Sequence, residues 1–243
     1  MRNKPFYLGL LFLALVLVGF DVVLFGDDTA SVSETTETTA SATLPTAGTS
    51  LAPDQPMVCG YSTEAPEVPA YASLIRPTDP QVGPKDAAVT FLEFFEPNCP
   101  HCINFHSIAK QVKAAYSDRV HFAFKPVVFW PRSAVQAQAM YAAHAEGKFF
   151  EMVDAQFGIS STGQGLTEDQ VKQAAQSIGM DGDAMMQRIS GGVYRGKMMS
   201  NRADHQQLGW GYVPAIYING KLVDNNSRTP ECIGQLLEAE MGS

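Results

Sequence analysis

The stretch "AVTFLEFFEPNCPHCINFHSIAKQVKAAY", residues 88–116, places two cysteines at the junction between a predicted strand and a predicted helix. Residues 88–95 are apolar, β-branched and aromatic, which is typical of a strand buried on both faces. From Cys99 onwards the apolar residues recur at helical spacing. Cys99 and Cys102 therefore lie at the start of a helix, and Pro100 occupies the first helical position, where proline is favoured.

The position of Cys99 predicts an acidic and reactive thiol. Unpaired N–H groups and the dipole at a helix N-terminus favour negative charge, so the pKa of Cys99 should lie below that of a free thiol. Cysteines in such motifs have pKa values roughly one to five units below the free value, about 1.4 to 7 kcal/mol. The dipole supplies only about 0.3 to 1 kcal/mol, up to about 2. We therefore expect N–H bonds to sulfur and the nearby His101 to supply the rest, while the deeper Cys102 attacks a mixed disulfide formed at Cys99.

Two other roles for the cysteine pair have weaker support. Cys102 and His106 stand at i and i+4 with Cys99 close by, but no second C-x-x-C or H-x-x-x-H completes a tetrahedral set. The methionine pairs at 185–186 and 198–199 fit soft copper(I), but methionines at helical positions usually fill the core. These spacings therefore predict no metal site. A purely structural Cys99–Cys102 disulfide also has weak support, because a bridge across such a short loop adds little stabilisation.

The remaining pattern predicts an α/β fold. The strand and helix of the motif, with a second strand after them, form a βαβ unit that implies a parallel pair and a right-handed crossover. A long run of helical composition separates this unit from a hairpin and a last helix. The predicted later elements are a strand (120–129), helices over 167–179 and about 183–207, a strand (214–218), a hairpin turn (Asn219-Gly220) and a helix from Pro230.

Composition excludes one class of function. The chain has 243 residues, 45% of them hydrophobic and 17% charged, with a net charge of −8 and a sequence pI near 5.1. An acidic chain without a basic stripe gains nothing from phosphate contacts, so we expect no nucleic-acid partner. Four cysteines are too few for a small disulfide scaffold in a chain of this length.

The first residues predict export. Arg2 and Lys4 precede an almost unbroken apolar run at 6–26, the pattern of a signal peptide and also about long enough to span a bilayer. No A-x-A-like site follows, which favours an uncleaved anchor over a cleaved signal. Lysine and arginine are then absent until Arg76, so the positive-inside rule places the body outside the cytoplasm. The Thr- and Ser-rich residues 27–66 are expected to form a flexible linker.

Two segments in order carry a family resemblance. "FLEFFEPNCPHC" at 91–102 and "GYVPAIYINGKL" at 211–222 resemble the DsbA-like thiol:disulfide oxidoreductases of the thioredoxin superfamily, from about Gly83 to the last helix. The dipeptide Pro100-His101 is typical of that group. The resemblance implies a thioredoxin fold over 67–243, interrupted by a helical insertion domain at about 133–207. It also implies a cis bond at Val213–Pro214, beside the active-site sulfurs.

The same resemblance implies a function. A periplasmic enzyme of this group donates its Cys99–Cys102 disulfide to reduced exported proteins through a mixed disulfide, and needs no cofactor beyond that redox-active disulfide. Its expected partners are those client proteins and a quinone-linked membrane reoxidase of the DsbB kind. Its expected location is the periplasmic face of the inner membrane, anchored by 6–26, or the soluble periplasm after cleavage. The alternatives are a disulfide isomerase or reductase, and a copper- or zinc-binding stress protein that uses the same thiols.

Two charged residues match the family's proton-transfer pair. Glu93 corresponds to the acid under the active site, and Lys125 on the next strand to its buried basic counterpart. Together they would move the proton when Cys102 attacks; the alternative is that either is a surface charge at a strand end. Val213 resembles the oxidases, whereas Tyr212 departs from the glycine that is common there and is expected to narrow or reshape the peptide groove.

Cys59 and Cys232 lie outside the motif. With the motif pair assigned to each other, these two are left as mutual partners. In an oxidising compartment their bridge would pin the end of the linker to the last helix and contribute about 4 to 5 kcal/mol in the chain-entropy model. Free buried thiols and pairing between molecules are the alternatives.

Overall fold

A five-stranded mixed sheet organises the computed structural model of the protein, which describes residues 58–159 and 164–243. The spatial order is β1-β3-β2-β4-β5; β2 and β3 are parallel, and the other neighbours are antiparallel. The predicted βαβ unit is therefore present. The strands are β1 (Gln81–Val82), β2 (Val89–Phe95), β3 (Val120–Pro126), β4 (Ala215–Ile218) and β5 (Lys221–Leu222).

Helices cover both the motif and the predicted insertion. They are α1 (Pro100–Tyr116), α2 (Ala134–His144), α3 (Phe149–Ile159), α4 (Glu168–Ser177), α5 (Gly182–Ser190), α6 (Arg195–Gln207) and α7 (Pro230–Met241). The capping box of Thr167 and Gln170 begins α4 as predicted. The single helix expected over 183–207 is wrong, because the chain breaks between α5 and α6 at Gly191-Gly192. Gly192 has φ +76°, a left-handed conformation that favours glycine.

The two faces of the sheet carry separate apolar clusters. Every residue of β2 is buried, and alternate side chains point to opposite faces. Phe91 and Phe95 pack with α1, α7 and the helical insertion, whereas Leu92 and Phe94 pack on the other face beside Leu208, which follows α6. The motif helix therefore lies on one particular face, and this decides which charged residues reach the thiols.

The end of the predicted linker belongs to the folded domain. Cys59 and Cys232 form a disulfide with a Cα–Cα distance of 5.0 Å and a sequence separation of 173. Tyr61 forms a β-bridge with Val223, and the Ser62 N–H donates to the Leu222 carbonyl at 2.8 Å. The expected flexible segment 27–66 thus extends too far along the chain, because these contacts fix its last residues to the edge of the sheet.

The predicted membrane segment at 6–26 and linker residues 27–57 lie outside the described residues. Over 58–159 and 164–243, no helix has the length and apolar character needed to cross a bilayer.

Candidate active site

The two motif cysteines lie at the start of α1, as the sequence predicts. Cys99 is the N-cap residue, and Pro100 opens the helix. Both sulfurs are free thiols, so the structure represents the reduced protein. Cys99 is 7% exposed and Cys102 is 1% exposed. The first thiol is therefore the one at the surface, and the second lies beneath it.

The environment separates the acidities of the two thiols. The thiol of Cys102, by hydrogen bonding, lowers the pKa of Cys99 from 9.0 to about 6; burial opposes the shift, and the N–H groups of Cys102 and His101 add to it. The charge of His101 is the weakest of these causes, so hydrogen bonding accounts for more of the shift than the histidine charge. Burial, reinforced by Cys99, raises the pKa of Cys102 well above its usual value. At neutral pH the outer sulfur is a thiolate and the inner one a thiol.

The Val213–Pro214 bond is cis, as the resemblance implies. The Cys99 sulfur lies 3.6 Å from the Val213 carbonyl oxygen, so this loop lies directly against the outer sulfur. His205 at the end of α6 contacts the Tyr212 carbonyl through Nε2 at 3.2 Å. The insertion therefore helps to hold the loop that borders the reactive thiol.

Glu93 lies beneath the thiols on the face that α1 covers. Its side chain is buried, and burial raises its pKa from 4.5 to about 8, against a smaller opposing effect from the charge of Arg228. Glu93 also interacts electrostatically with Cys102. A buried carboxyl that remains protonated near neutral pH is suited to exchanging a proton with the inner sulfur.

Lys125 does not pair with Glu93, and this expectation is wrong. The register aligns Glu93 with Phe124 and Phe94 with Lys125, so the two charged side chains leave the sheet on opposite faces. Lys125 is fully buried on the far face, where its Nζ contacts the Leu74 carbonyl, Asp79 at 3.0 Å and Asp204 at 2.8 Å. These contacts make Lys125 part of a structural charge network away from the thiols.

Glu96 is a second acid at the site, which the sequence analysis missed. Its backbone N–H donates to the Cys102 sulfur at 3.4 Å, and its carboxylate accepts from the Asn98 N–H at 2.6 Å. Burial raises its pKa to about 7, although hydrogen bonds with Ser133 and the Asn98 N–H oppose the shift. Its position could have indicated a functional role, because Glu96 lies in the loop that joins a parallel strand to its helix, where functional residues are often found.

A groove of about 480 Å³ runs beside the thiols and the cis-proline loop. Tyr212 is 72% exposed at its wall, with its ring packed edge-on against Trp210 at 5.7 Å. Arg228, which the sequence analysis also missed, enters the groove from the loop before α7. The groove is lined by His101, Asn104, Phe105, Ile108, Tyr212, Val213, Pro214, Asn225 and Arg228.

The third ligand of the metal alternative is engaged elsewhere. His106 Nε2 lies 2.5 Å from Asp154 Oδ1, so its imidazole links α1 to α3. Within the described ranges, no group of three or more His, Cys, Asp or Glu side chains is arranged to hold a metal ion.

Comparison with known proteins places the chain in a family. The family model described as Thioredoxin (Thioredoxin_4) matches residues 76–239. The chain belongs to this thioredoxin family. The resemblance noted in the sequence is thereby confirmed, and the match includes the whole motif, the insertion and the cis-proline.

Several solved structures share the fold of this chain. BdbD from Bacillus subtilis, in its oxidised form, is 22% identical with a TM-score of 0.62, over 68% of this chain and 94% of that one. The thiol-disulfide exchange protein alpha-DsbA2 from Wolbachia pipientis is 18% identical with a TM-score of 0.60, over 70% and 91% of the two chains. These likenesses show that the chain shares the fold of these proteins.

A curated relative shares only the domain. The Na(+)/H(+) antiporter NhaA 1 of Mycobacterium sp. (strain KMS) is 25% identical over 166 residues, which are 65% of this chain. The chain spans about a quarter of the length of the curated relatives it matches, 27% in this case.

Proposed function

We propose that the protein is a thiol:disulfide oxidoreductase which, in its oxidised form, donates a Cys99–Cys102 disulfide to reduced exported proteins. The observation that carries this proposal is the pair of unequal thiols at the start of α1. The pKa of Cys99 is about 6, that of Cys102 is raised, and the carbonyl of Val213 borders the outer sulfur. The family match and the likeness to alpha-DsbA2, a thiol-disulfide exchange protein, support the same activity.

The reaction balances between two thiols and one disulfide. A substrate thiolate attacks Cys99 Sγ; the Cys99–Cys102 bond breaks, and its electron pair leaves on Cys102, which takes up a proton. A second substrate thiolate then attacks the substrate sulfur of the mixed disulfide, and Cys99 leaves as a thiolate. The substrate loses two electrons and two protons in total, and the enzyme disulfide is reduced to a dithiol.

The acidity of Cys99 favours the direction of oxidation. A thiol that titrates at about 6 instead of 9.0 is stabilised at pH 7 by about 1.4 kcal/mol in the reduced protein. For a two-electron couple this raises the potential by about 30 mV.

In this proposal Glu93, protonated at neutral pH, gives its proton to the leaving sulfur of Cys102 and regains one from solvent. His101 and Pro100 shape the exposed turn around Cys99, and Val213 and Pro214 form the edge on which the substrate chain lies.

We place this activity on the periplasmic side of the inner membrane. The Cys59–Cys232 bridge supports an oxidising compartment, because disulfides persist there and are rare in the cytosol. The apolar residues 6–26 would anchor the protein, or be removed as a signal peptide. A quinone-linked membrane protein of the DsbB kind would reoxidise the dithiol.

The test uses the full chain and a reduced protein whose activity returns on disulfide formation. The oxidised wild type should restore activity, Cys99→Ser should not, and Cys102→Ser should accumulate mixed disulfides that a reductant releases. Unchanged oxidation by Cys99→Ser would refute the proposal. A potential near the thioredoxin value of about −270 mV would favour a reductase instead.

A further inference from the structure

Arg228 is an unpaired cation in the groove. It lies between the short 3-10 helix Asn225–Ser227 and α7, and it is partly buried. Within residues 58–159 and 164–243, no hydrogen bond or ion pair joins its guanidinium to another side chain or to the backbone. Its Nε is fully shielded from solvent and has no hydrogen-bond partner. Because Nε itself has no solvent-accessible surface, a ligand in the groove would pair with the terminal nitrogens of the guanidinium.

Among the described residues, none of the acids nearest Arg228 forms an ion pair with it. Glu93 is protonated near neutral pH because its pKa is about 8, and Cys102 is a thiol. The carboxylate of Asp224 interacts electrostatically with Arg228 but forms no ion pair with it, and it accepts a hydrogen bond from the Asn226 N–H at 2.9 Å. Burial lowers the pKa of Arg228, but arginine remains charged at any physiological pH.

The groove itself adds no negative charge. Its lining combines apolar side chains with His101, Asn104, Asn225 and Arg228, and contains neither aspartate nor glutamate among the described residues. Although the whole chain carries a net charge of −8, this surface offers hydrogen-bond donors and one free cation. Pro214, beside the reactive sulfur, and Arg228 border the same groove, so one extended segment can contact both.

We propose that this groove selects substrate segments that carry a carboxylate side chain near the attacking cysteine, and that the carboxylate pairs with the guanidinium of Arg228. The inference rests on the proposed oxidase function and names its substrate class. An arginine fork matches a carboxylate geometrically, and charge-assisted bonds are the stronger class of hydrogen bond. Because the site is open to solvent on one side, we expect a preference of about tenfold rather than a hundredfold, and tenfold corresponds to about 1.4 kcal/mol.

The experiment compares dithiol peptides that differ at one residue, which is Glu, Gln or Lys at successive positions around the reactive cysteine. The oxidised full-length protein is mixed with each peptide, and kcat/KM is divided by the peptide's rate with a small neutral disulfide. This division removes differences in the peptides' own thiol acidity. At the best position the Glu peptide should react about tenfold faster than the Gln peptide, with the Lys peptide slowest, and added salt should shrink the difference.

Variants assign the preference to one side chain. Arg228→Gln should bring the Glu-to-Gln ratio close to one, Arg228→Lys should retain part of it, and Arg228→Glu should favour the Lys peptide. Arg195→Gln is the matched control, because it removes the same charge from an exposed position at the start of α6 and should leave the ratio unchanged.

Two results would overturn the inference while leaving the oxidase function intact. One is equal reaction of the three peptides with the wild type, a comparison that does not depend on any variant folding. The other is an Arg228→Gln variant that slows all three peptides by the same factor, because Arg228 would then act on the enzyme's own thiols. Failure to oxidise every peptide would instead contradict the proposed function, and the inference with it.

Discussion

Replacing Glu93 with glutamine should change how the stability of the protein depends on pH. The folded protein holds the Glu93 carboxyl at a pKa of about 8, compared with 4.5 in the absence of burial. For an acid whose pKa is raised by folding, the native state binds more protons than the unfolded state between these two values. Stability is therefore lost as pH rises from about 4.5 to about 8. Glutamine does not titrate, so this loss should disappear in Glu93→Gln.

The size of the effect follows from the shift. A change from 4.5 to about 8 corresponds to about 5 kcal/mol, at about 1.36 kcal/mol per pH unit. A buried amide without a partner carries a cost of its own, but that cost is independent of pH. The difference in unfolding free energy between Glu93→Gln and the wild type should thus grow by about 4 kcal/mol in favour of the variant between pH 4.5 and pH 8, because each limit is itself a midpoint at which half of the titration has occurred.

Urea unfolding of the reduced proteins across this pH range measures the difference directly. Comparing proteins in the same redox state cancels the titration of Cys99, which is common to both. Glu64→Gln serves as the control, because it makes the same chemical change at an exposed position. A difference for Glu93→Gln that is no steeper with pH than that for Glu64→Gln would refute the placement of a protonated acid beneath the thiols.

Two further substitutions test other parts of the structure. Lys125→Met should lower the unfolding free energy in urea by about 3 kcal/mol, the lower end for breaking a buried ion pair, because the aspartates retain Arg76 and Lys197 as partners. Lys125→Met should leave the pH dependence of mixed-disulfide release unchanged. A shifted pH profile would show that Lys125 does take part in catalysis. Replacing both Cys59 and Cys232 with serine should cost about 5 kcal/mol by the chain-entropy model, since the bridge spans 173 residues. A midpoint in urea equal to that of the wild type would show that the bridge does not constrain the unfolded chain.

The sequence located the reactive pair because its signals are local. A buried strand, two thiols and a proline within one turn define the start of α1, and the structure places Cys99 there as the N-cap. The cis bond at Val213–Pro214 came from the resemblance, and the structure contains it. The pairing of Cys59 with Cys232 came from elimination among four cysteines, and the bridge is present.

The error about Lys125 has a simple physical source. The sequence placed Glu93 and Lys125 on neighbouring strands, but a shift of one residue in register moves a side chain to the other face of the sheet. The sequences of the two strands do not indicate which side chains share a face. Both strands are buried along their whole length, so they lack the alternation of polar and apolar residues that would show it. The faces are decided by tertiary packing, which the sequence pattern does not contain.

Arg228 and Glu96 were missed for different reasons. Arg228 lies far along the chain from the motif and reaches the groove only because the hairpin and α7 fold back beside α1. Glu96 stands three residues before Cys99, yet a charged residue at the end of a strand is usually exposed, and here it is completely buried. Distance along the chain concealed the first residue, and an unusual degree of burial concealed the second.

The central claim is that Cys99 is a thiolate at neutral pH while Cys102 remains protonated. Thiolate absorbance of the reduced protein, followed across pH with Cys99→Ser as the blank, measures this directly. The account predicts a midpoint at about 6, which should rise when Cys102 is replaced by alanine and its thiol no longer donates to Cys99. A midpoint near the value of 9.0 for an unperturbed thiol, or one unmoved by Cys102→Ala, would contradict the account.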